Sequence, residues 1–282
     1  YRIRIMFTKK PTLSTDLSTP IPQTTSIIVV VVHFGSPEHT TRLLDSLVSG
    51  MRIPDKIVVV NNDSEPYLYK NKHVTCVKPA TNRGYIAGLR YGIHSLDMKK
   101  NALLVLMNND AKVSSNFLAT IESWWHKHGG SSVLSGPRMA TISCFTGRAH
   151  INGNHPLFSL PYIDGACMVV RPSFFDAISN VEGLFMYWED VLLSIHAKKV
   201  GGEIKEIPHL GFTHPDNTEE VTDQKLYYLV RNGAYILERL AFPWGLYWII
   251  RNKVRQYWHV VCSGRRHKNI AKALRDVHRV SL

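Results

Sequence analysis

Through the first half of the chain, apolar residues come in short unbroken runs, and each run ends at a polar cluster. SIIVVVV (26–32) is a continuous β-branched run, the pattern of a strand buried on both faces, and it stops at His33-Phe34-Gly35. The period then changes. In SPEHTTRLLDSLVSG, Ser36 as N-cap, Pro37 at the first helical position, a stripe of Leu43, Leu44, Leu47 and Val48, and Gly50 as stop predict a helix. The strand pattern returns in KIVVV (56–60), which ends at Asn61-Asn62-Asp63-Ser64, in HVTCV (73–77), and in ALLVLM (102–107), which ends at Asn108-Asn109-Asp110. Helices are predicted from about Gly84 and across NFLATIESWWHKH. Strands alternating with helices predict an α/β fold, a mostly parallel, Rossmann-like sheet with right-handed crossovers flanked by helices. In such sheets ligands gather beyond the carboxyl ends of the strands.

That geometry brings His33, Asn61 to Ser64 and Asn108 to Asp110 to one edge. Two readings stand there: a polar cluster that holds a nucleotide or a metal, or a set of turn formers that merely closes loops. Between them lies TNRGYIAGLRYG (81–92), with Gly84, Gly88 and Gly92 at four-residue intervals. This is not the GxGxxG spacing of a dinucleotide site. Gly88 and Gly92 fit close packing of the helix on the sheet. Asn82, Arg83 and Gly84 at the helix start suit a phosphate, since backbone amides and a guanidinium meet there.

After residue 130 the rhythm changes. Asp164-Gly165 precedes an apolar strand, ACMVV, and Glu189-Asp190 opens a helix that ends near Lys198-Lys199, before Gly201-Gly202. Asp190 reads either as the N-cap of that helix or as a carboxylate base, with Tyr187 and Trp188 as aromatic platforms for a sugar.

Composition narrows the classes. A chain of 282 residues with 44% hydrophobic content buries one large core or two small ones. Cys76, Cys144, Cys167 and Cys262 lie far apart without a CxxC pair, which argues against a disulfide framework or a structural zinc and for a reducing compartment. The net charge of +12 is uneven: Arg251 to Leu282 holds nine lysines and arginines against one acid. No zinc-finger spacing or RNP-like aromatic motif accompanies this tail, so nucleic acid is not the expected partner. The uncharged run Leu240 to Ile250 falls short of the ~20 apolar residues of a membrane span and contains Pro243 and Gly245. RNKVRQYWHVV then mixes Tyr257 and Trp258 with Arg251, Lys253 and Arg255, either a segment lying at a lipid interface or a packed helix with a solvated basic face. The first 25 residues read as a loose tail without the apolar region of a secretory signal, and Met6 is a candidate natural start.

The ordered series VVVNNDS, NRGYIAG, VLMNNDA, IDGACMVVR, GLFMYWEDV, THPDN and YYLVRN resembles the family 2 glycosyltransferases of glycosyltransferase A-type fold. Within that family it is most similar to the bacterial rhamnosyltransferase-like branch, which builds O-antigens and other surface polysaccharides. The resemblance runs from about Ile27 to Asn232. It implies that Asn108-Asn109-Asp110 stands for the D-x-D element, with Asp110 holding Mg2+ or Mn2+ on the donor diphosphate; Asn108 departs from that element and removes one charge. His214 matches a histidine that reaches the same metal or diphosphate, and Asp190 matches the catalytic base, with Glu189 beside it. His33, Asn61, Asn62, Asn82, Arg83, Gly84, Asn108, Asn109, Asp164 and Trp188 are expected around the nucleotide sugar, with Asn61 or Asn62 beside a uracil or thymine base.

These expectations combine into an inverting transfer of a sugar, rhamnose by resemblance, from a dTDP- or UDP-linked donor to a lipid-linked saccharide at the cytoplasmic face of the membrane. A catalytically silent nucleotide-sugar-binding or scaffold protein is the alternative. The expected organisation is a tail over residues 1–25, a catalytic domain over 26–234 and a helical, membrane-associating segment over 235–282.

Overall fold

The computed structural model describes residues 26–96, 102–129, 132–150, 158–172, 174–175, 183–215, 222–240, 243–262 and 264–279. The expected tail over 1–25 and the end of the THPDN stretch lie outside the described residues. Four apolar runs become β1 (Ser26–His33), β2 (Lys56–Asn61), β3 (Val74–Val77) and β4 (Ala102–Asn108). The first crossover holds α1 (Pro37–Val48) and the third holds α2 (Tyr85–His94). Ser36 precedes α1 as expected but does not cap it; its hydroxyl donates to the Glu38 carboxylate instead.

β1 lies parallel to β2 with His33 opposite Asn61, and parallel to β4 with Val32 opposite Asn108. The polar stops of three runs therefore share one edge. The chain steps outward from β1 to β2 to β3, then returns to the far side of β1 as β4. That reversal opens a crevice between the carboxyl ends of β1 and β4, where an open α/β sheet binds its ligands.

Beyond β4 come β5 (Lys112–Val113), α3 (Phe117–His128), β6 (Ser132–Gly136), β7 (Met139–Ser143), β8 (Ala149–His150), β9 (Ser159–Ile163) and β10 (Cys167–Val170). They are followed by α4 (Glu189–Lys199), β11 (Glu203–Glu206), β12 (Phe212–Thr213), α5 (Asp223–Leu237), α6 (Trp244–Val261) and α7 (Arg265–Arg275). The main sheet has the order β11-β6-β10-β4-β1-β2-β3. It is mostly parallel; β10 runs antiparallel to both β4 and β6. β7, β8 and β9 form a small antiparallel sheet, and β12 pairs antiparallel with β5.

Helices cover both faces of the main sheet. Leu43, Leu44, Leu47, Phe117, Ile121 and Trp125 pack on Val29, Val31 and Val105, while Ile86, Leu89, Ile93 and Leu193 pack on Val30, Leu104 and Leu106. Val29, Val30 and Val31 are fully buried, and each such side chain contributes about 1.5–3 kcal/mol relative to exposure. A Cβ on Gly92 would stand 2.5 Å from Val60 Cγ2, so the glycine spacing in α2 serves close packing, as that spacing suggests.

A third core lies over the small sheet. Ala140, Ile142 and Leu160 meet Tyr235 and Leu237 of α5, Trp248 of α6, and Ile270 and Leu274 of α7. Helix α5 runs without a break across the expected boundary at residue 234. The C-terminal helices thus share a core with the residues before them.

Candidate active site

At the crevice edge most of the expected polar side chains are engaged in holding the loops. His33 Nδ1 lies 2.7 Å from Thr40 Oγ1, and the Asn109 amide donates to the same hydroxyl at 3.0 Å and to the Phe34 carbonyl at 3.2 Å. Thr40, fully buried in α1, thereby ties the end of β1 to the end of β4. No sequence pattern singled it out. The Asn61 side chain accepts from the Asp63 amide and donates to the Glu65 carbonyl, the local turn expected of an Asn at a strand end. Asn62 donates to the Gly84 carbonyl at 2.9 Å, and its Oδ1 is buried with no hydrogen-bond partner.

The start of α2 departs from the phosphate reading. Gly84 has φ +76°, and a Cβ there would meet the Phe185 carbonyl oxygen at 2.1 Å. Its amide is bonded to Asn82 Oδ1 at 2.8 Å, and the Tyr85 amide to the Phe185 carbonyl at 3.0 Å. The first two amides of this helix start are thus occupied by the protein itself. Exposed Arg83 lies over the Tyr91 ring at 5.2 Å.

Asp110 and His214 are far apart in sequence and come together through a small pairing. β5 begins two residues after Asp110, β12 precedes His214 directly, and Thr213 stands opposite Lys112. The outcome is His214 Nε2 at 3.0 Å from Asp110 Oδ1 and 3.2 Å from Asn108 Nδ2. Burial raises the Asp110 carboxyl, but the His214 hydrogen bond and charge outweigh it, so the group lies below its ordinary value. Among the described residues no three His, Cys, Asp or Glu side chains group as a complete metal cage. The pair still suits a divalent ion. Two ligands about 3 Å apart match adjacent corners of an octahedron with bonds of about 2.1 Å, and Mg2+-type sites draw their other ligands from phosphate and water.

Asp190 stands at the start of α4. The sequence left it between N-cap and base; in the structure Trp188 occupies the N-cap position and Asp190 is the second residue of α4. Its Oδ2 accepts from the Gly165 amide at 3.1 Å and its Oδ1 from the Val191 amide at 2.8 Å. A Cβ on Gly165 would lie 3.1 Å from the Asp190 Cβ, so a larger residue there would press on Asp190 and shift it by a few tenths of an ångström. Asp164, beside it, is paired with Arg138 at 2.5 Å. Burial first and the Asp164 carboxylate second push Asp190 up to about 6, against the pull of the two amides. Its neighbour Glu189, expected to share the chemistry, is 6% exposed with Oε1 unpartnered, and burial pushes it up to about 8. Glu189 does not reach the cavity that Asp190 lines.

The two centres are anchored on one short turn. Ala166 accepts from the Asn108 amide at 3.1 Å, while Gly165 donates to Asp190 and accepts from the Tyr85 hydroxyl at 2.8 Å. The turn Asp164–Ala166 therefore sets Asp190 against the strand end that carries Asp110.

The loop before α4 is held in an unfavourable backbone conformation. Tyr187 (φ 66°) and Trp188 (φ 72°) are both left-handed, a cost of order 1–3 kcal/mol each that a packed structure sustains most often at functional sites. The restraint comes from the YYLVRN stretch in α5. Fully buried Asn232 donates to the carbonyls of Met186 and Tyr187 at 2.8 and 3.1 Å, Arg231 donates to the Gly183 carbonyl, and Trp188 Nε1 donates to the Leu229 carbonyl at 3.1 Å.

Asp190, Tyr187 and Trp188 line a cavity of about 750 Å³ that is also lined by Arg251, Asn252 and Arg255 of α6. The sequence assigned these arginines to a membrane surface or a solvated face. The signal available was their position beside Trp248 and Asn252 on one side of the helix. No described helix is long and apolar enough to cross a membrane.

Comparison with protein-family profiles and with curated proteins gives no match. Solved structures do match. GalNAc-T7, crystallised with UDP, GalNAc and Mn2+, superposes with a TM-score of 0.58 at 11% identity, covering 90% of this chain and 54% of that one. S. aureus TarS 1–349 in complex with UDP-GlcNAc gives 0.54 at 14% identity, covering 89% and 80%. A further TarS structure gives 0.52 at 15%, covering 83% and 43%. This chain spans about half the length of the GalNAc-T7 chain. The fold is the glycosyltransferase A type.

Proposed function

We propose that this protein is an inverting, metal-dependent glycosyltransferase, with Asp190 as general base and Asp110 and His214 as holders of a divalent ion. One observation carries the reading: a carboxylate at about 6 lines a large cavity and is hydrogen-bonded to the turn that also fixes the strand end bearing Asp110. A base whose pKa lies near neutral is ionised at pH 7 and still accepts a proton in the transition state. The acceptor hydroxyl attacks the anomeric carbon, its proton passes to Asp190 Oδ, and the sugar–phosphate bond breaks on the opposite face, so the configuration inverts. When bound, Mg2+ or Mn2+ would neutralise charge on the departing nucleoside diphosphate. Tyr187, whose carbonyl Asn232 holds, and Trp188, bonded to the Leu229 carbonyl, orient the sugar between them.

The donor is a nucleoside diphosphate sugar, dTDP- or UDP-linked. UDP in the GalNAc-T7 structure and UDP-GlcNAc in the TarS structure support that class. Rhamnose follows from the sequence resemblance, as does a place in surface polysaccharide synthesis on a lipid-linked acceptor at the inner face of the membrane. The exposed face of α6 supports contact with a membrane surface: Leu246, Ile250, Val254, Tyr257 and Val261 recur at helical spacing and are 50–74% exposed, with basic side chains alongside. Assay of wild type and Asp190→Asn against a panel of nucleotide sugars, with a lipid-linked acceptor, tests the reading. Transfer by wild type and its loss in the variant are expected; no transfer with any donor, despite nucleotide-sugar binding, would replace the enzyme with a silent scaffold.

A further inference from the structure

Helix α6 turns two different faces outward. Gly245, Trp248 and Asn252 are buried, while Leu246, Ile250, Val254 and Tyr257 are exposed. At about 100° per residue, Arg251 and Arg255 fall between these two faces, one turn apart, and both line the cavity that holds Asp190. Arg251 stacks over the Trp248 ring at 4.3 Å. Arg148 lines the same cavity. None of the three has a carboxylate within ion-pair distance among the described residues, and Asp190 is the sole acid in the lining. Burial and the neighbouring Arg251 both work against the charge of Arg255. Two half-buried guanidiniums side by side, with no described carboxylate in ion-pair contact, are costly to maintain, and a planar, fork-shaped donor pair matches phosphate oxygens.

We infer that Arg251 and Arg255, with Arg148, form an anion subsite for a phosphate or diphosphate carried by the acceptor, placed between the sugar-binding cavity and the apolar face of α6. This rests on the proposed transferase activity and specifies its acceptor. The saccharide hydroxyl lies at Asp190, the phosphate at the arginines, and the apolar chain leaves along Leu246, Ile250, Val254 and Tyr257 toward a lipid surface. A membrane-bound acceptor could then be glycosylated without leaving the bilayer, because the helix that carries the anion subsite also carries the lipid-facing side chains.

The test compares one saccharide on three carriers: a prenyl diphosphate, a neutral alkyl chain, and a soluble diphosphate without a chain. Wild type should show a KM roughly tenfold or more lower for the prenyl diphosphate than for the neutral carrier, and Arg251→Gln/Arg255→Gln should lose that preference. Arg251→Lys/Arg255→Lys, which keeps the charge, should retain part of it; equal thermal midpoints exclude misfolding. If the soluble diphosphate does as well as the prenyl form, the lipid portion of the proposal falls. A double variant that keeps the wild-type preference overturns the whole, as does one that merely binds phosphatidylglycerol vesicles less well. A second readout does not depend on turnover. Calorimetry with geranyl diphosphate in EDTA, which silences the Asp110–His214 pair, should give binding in wild type and none in the Gln double variant. Such binding without transfer in any assay would leave the subsite standing and reject the transferase; Asp190-dependent transfer with neither readout sensitive to the arginines would do the reverse.

Discussion

Asp190 is under two opposed influences, since burial and Asp164 favour its proton while the amides of Gly165 and Val191 favour its charge. The balance at about 6 makes a definite prediction: turnover of wild type should fall on the acid side with an apparent pKa near that value. Asp190→Asn keeps an oxygen for one amide but cannot take a proton, so turnover should drop roughly 10²–10⁴-fold with donor affinity little changed. Glu189 shows the same physics without a catalytic position. Its folded value of about 8 lies above its ordinary 4.5, so the folded chain binds that proton more tightly than the unfolded one. The stabilisation is full below the ordinary value and is lost as pH rises toward the folded one. Melting temperature between about pH 5 and pH 9 should therefore decline less steeply in Glu189→Gln than in wild type. The acidic pair was visible in the sequence, but its division of labour was not, because which carboxylate faces a cavity depends on the strand and turn packed against it.

At the scale of elements, the YWED loop and α5 depend on each other. Asn232→Ala would remove the two hydrogen bonds that hold the Met186 and Tyr187 carbonyls in the loop carrying the left-handed Tyr187 and Trp188, and leave those carbonyls unpaired, at a cost of roughly 1–3 kcal/mol each. Lower stability together with a reduced kcat is expected, measured by denaturant melts and steady-state kinetics; unchanged kcat at a temperature where the variant is folded would dissociate the loop from catalysis. Runs such as SIIVVVV and ALLVLM were legible as strands because burial on both faces writes itself as unbroken apolar sequence. The direction of β10 was not, since Cys167–Val170 is equally apolar whichever way it runs. Nor was the left-handed pair, because Tyr and Trp do not advertise positive φ; the loop is held by hydrogen bonds from Asn232 and to Leu229 on another helix. Asp110 and His214 were paired by resemblance, and the two-residue ladder between β5 and β12 supplies the physical reason.

At the scale of the molecule, the basic C-terminal segment is part of the folded body. Trp248, Ile270 and Leu274 pack with Ala140 and Leu160, so cutting the chain near Leu240 would expose a core and destabilise the whole fold. Point substitutions avoid that. Ile250→Glu and Tyr257→Glu change exposed positions, and each should weaken binding to anionic vesicles in a flotation assay while leaving stability within about 0.5 kcal/mol. Composition revealed the charge of this segment. Its attachment was hidden because α6 is apolar on both its buried and its exposed sides.

Strand β10 also has a bearing on how the protein is made. It sits between β4 and β6, yet β6 is synthesised some thirty residues earlier. As the ribosome proceeds, β1 to β4 can assemble in order, but the edge of β4 formed by Leu104 to Met107 waits for Cys167 to Val170. During that interval an apolar strand edge is open to any other nascent chain. Fragments ending near residue 150 should aggregate, and a chaperone that binds extended apolar segments should be recruited before residue 170 emerges.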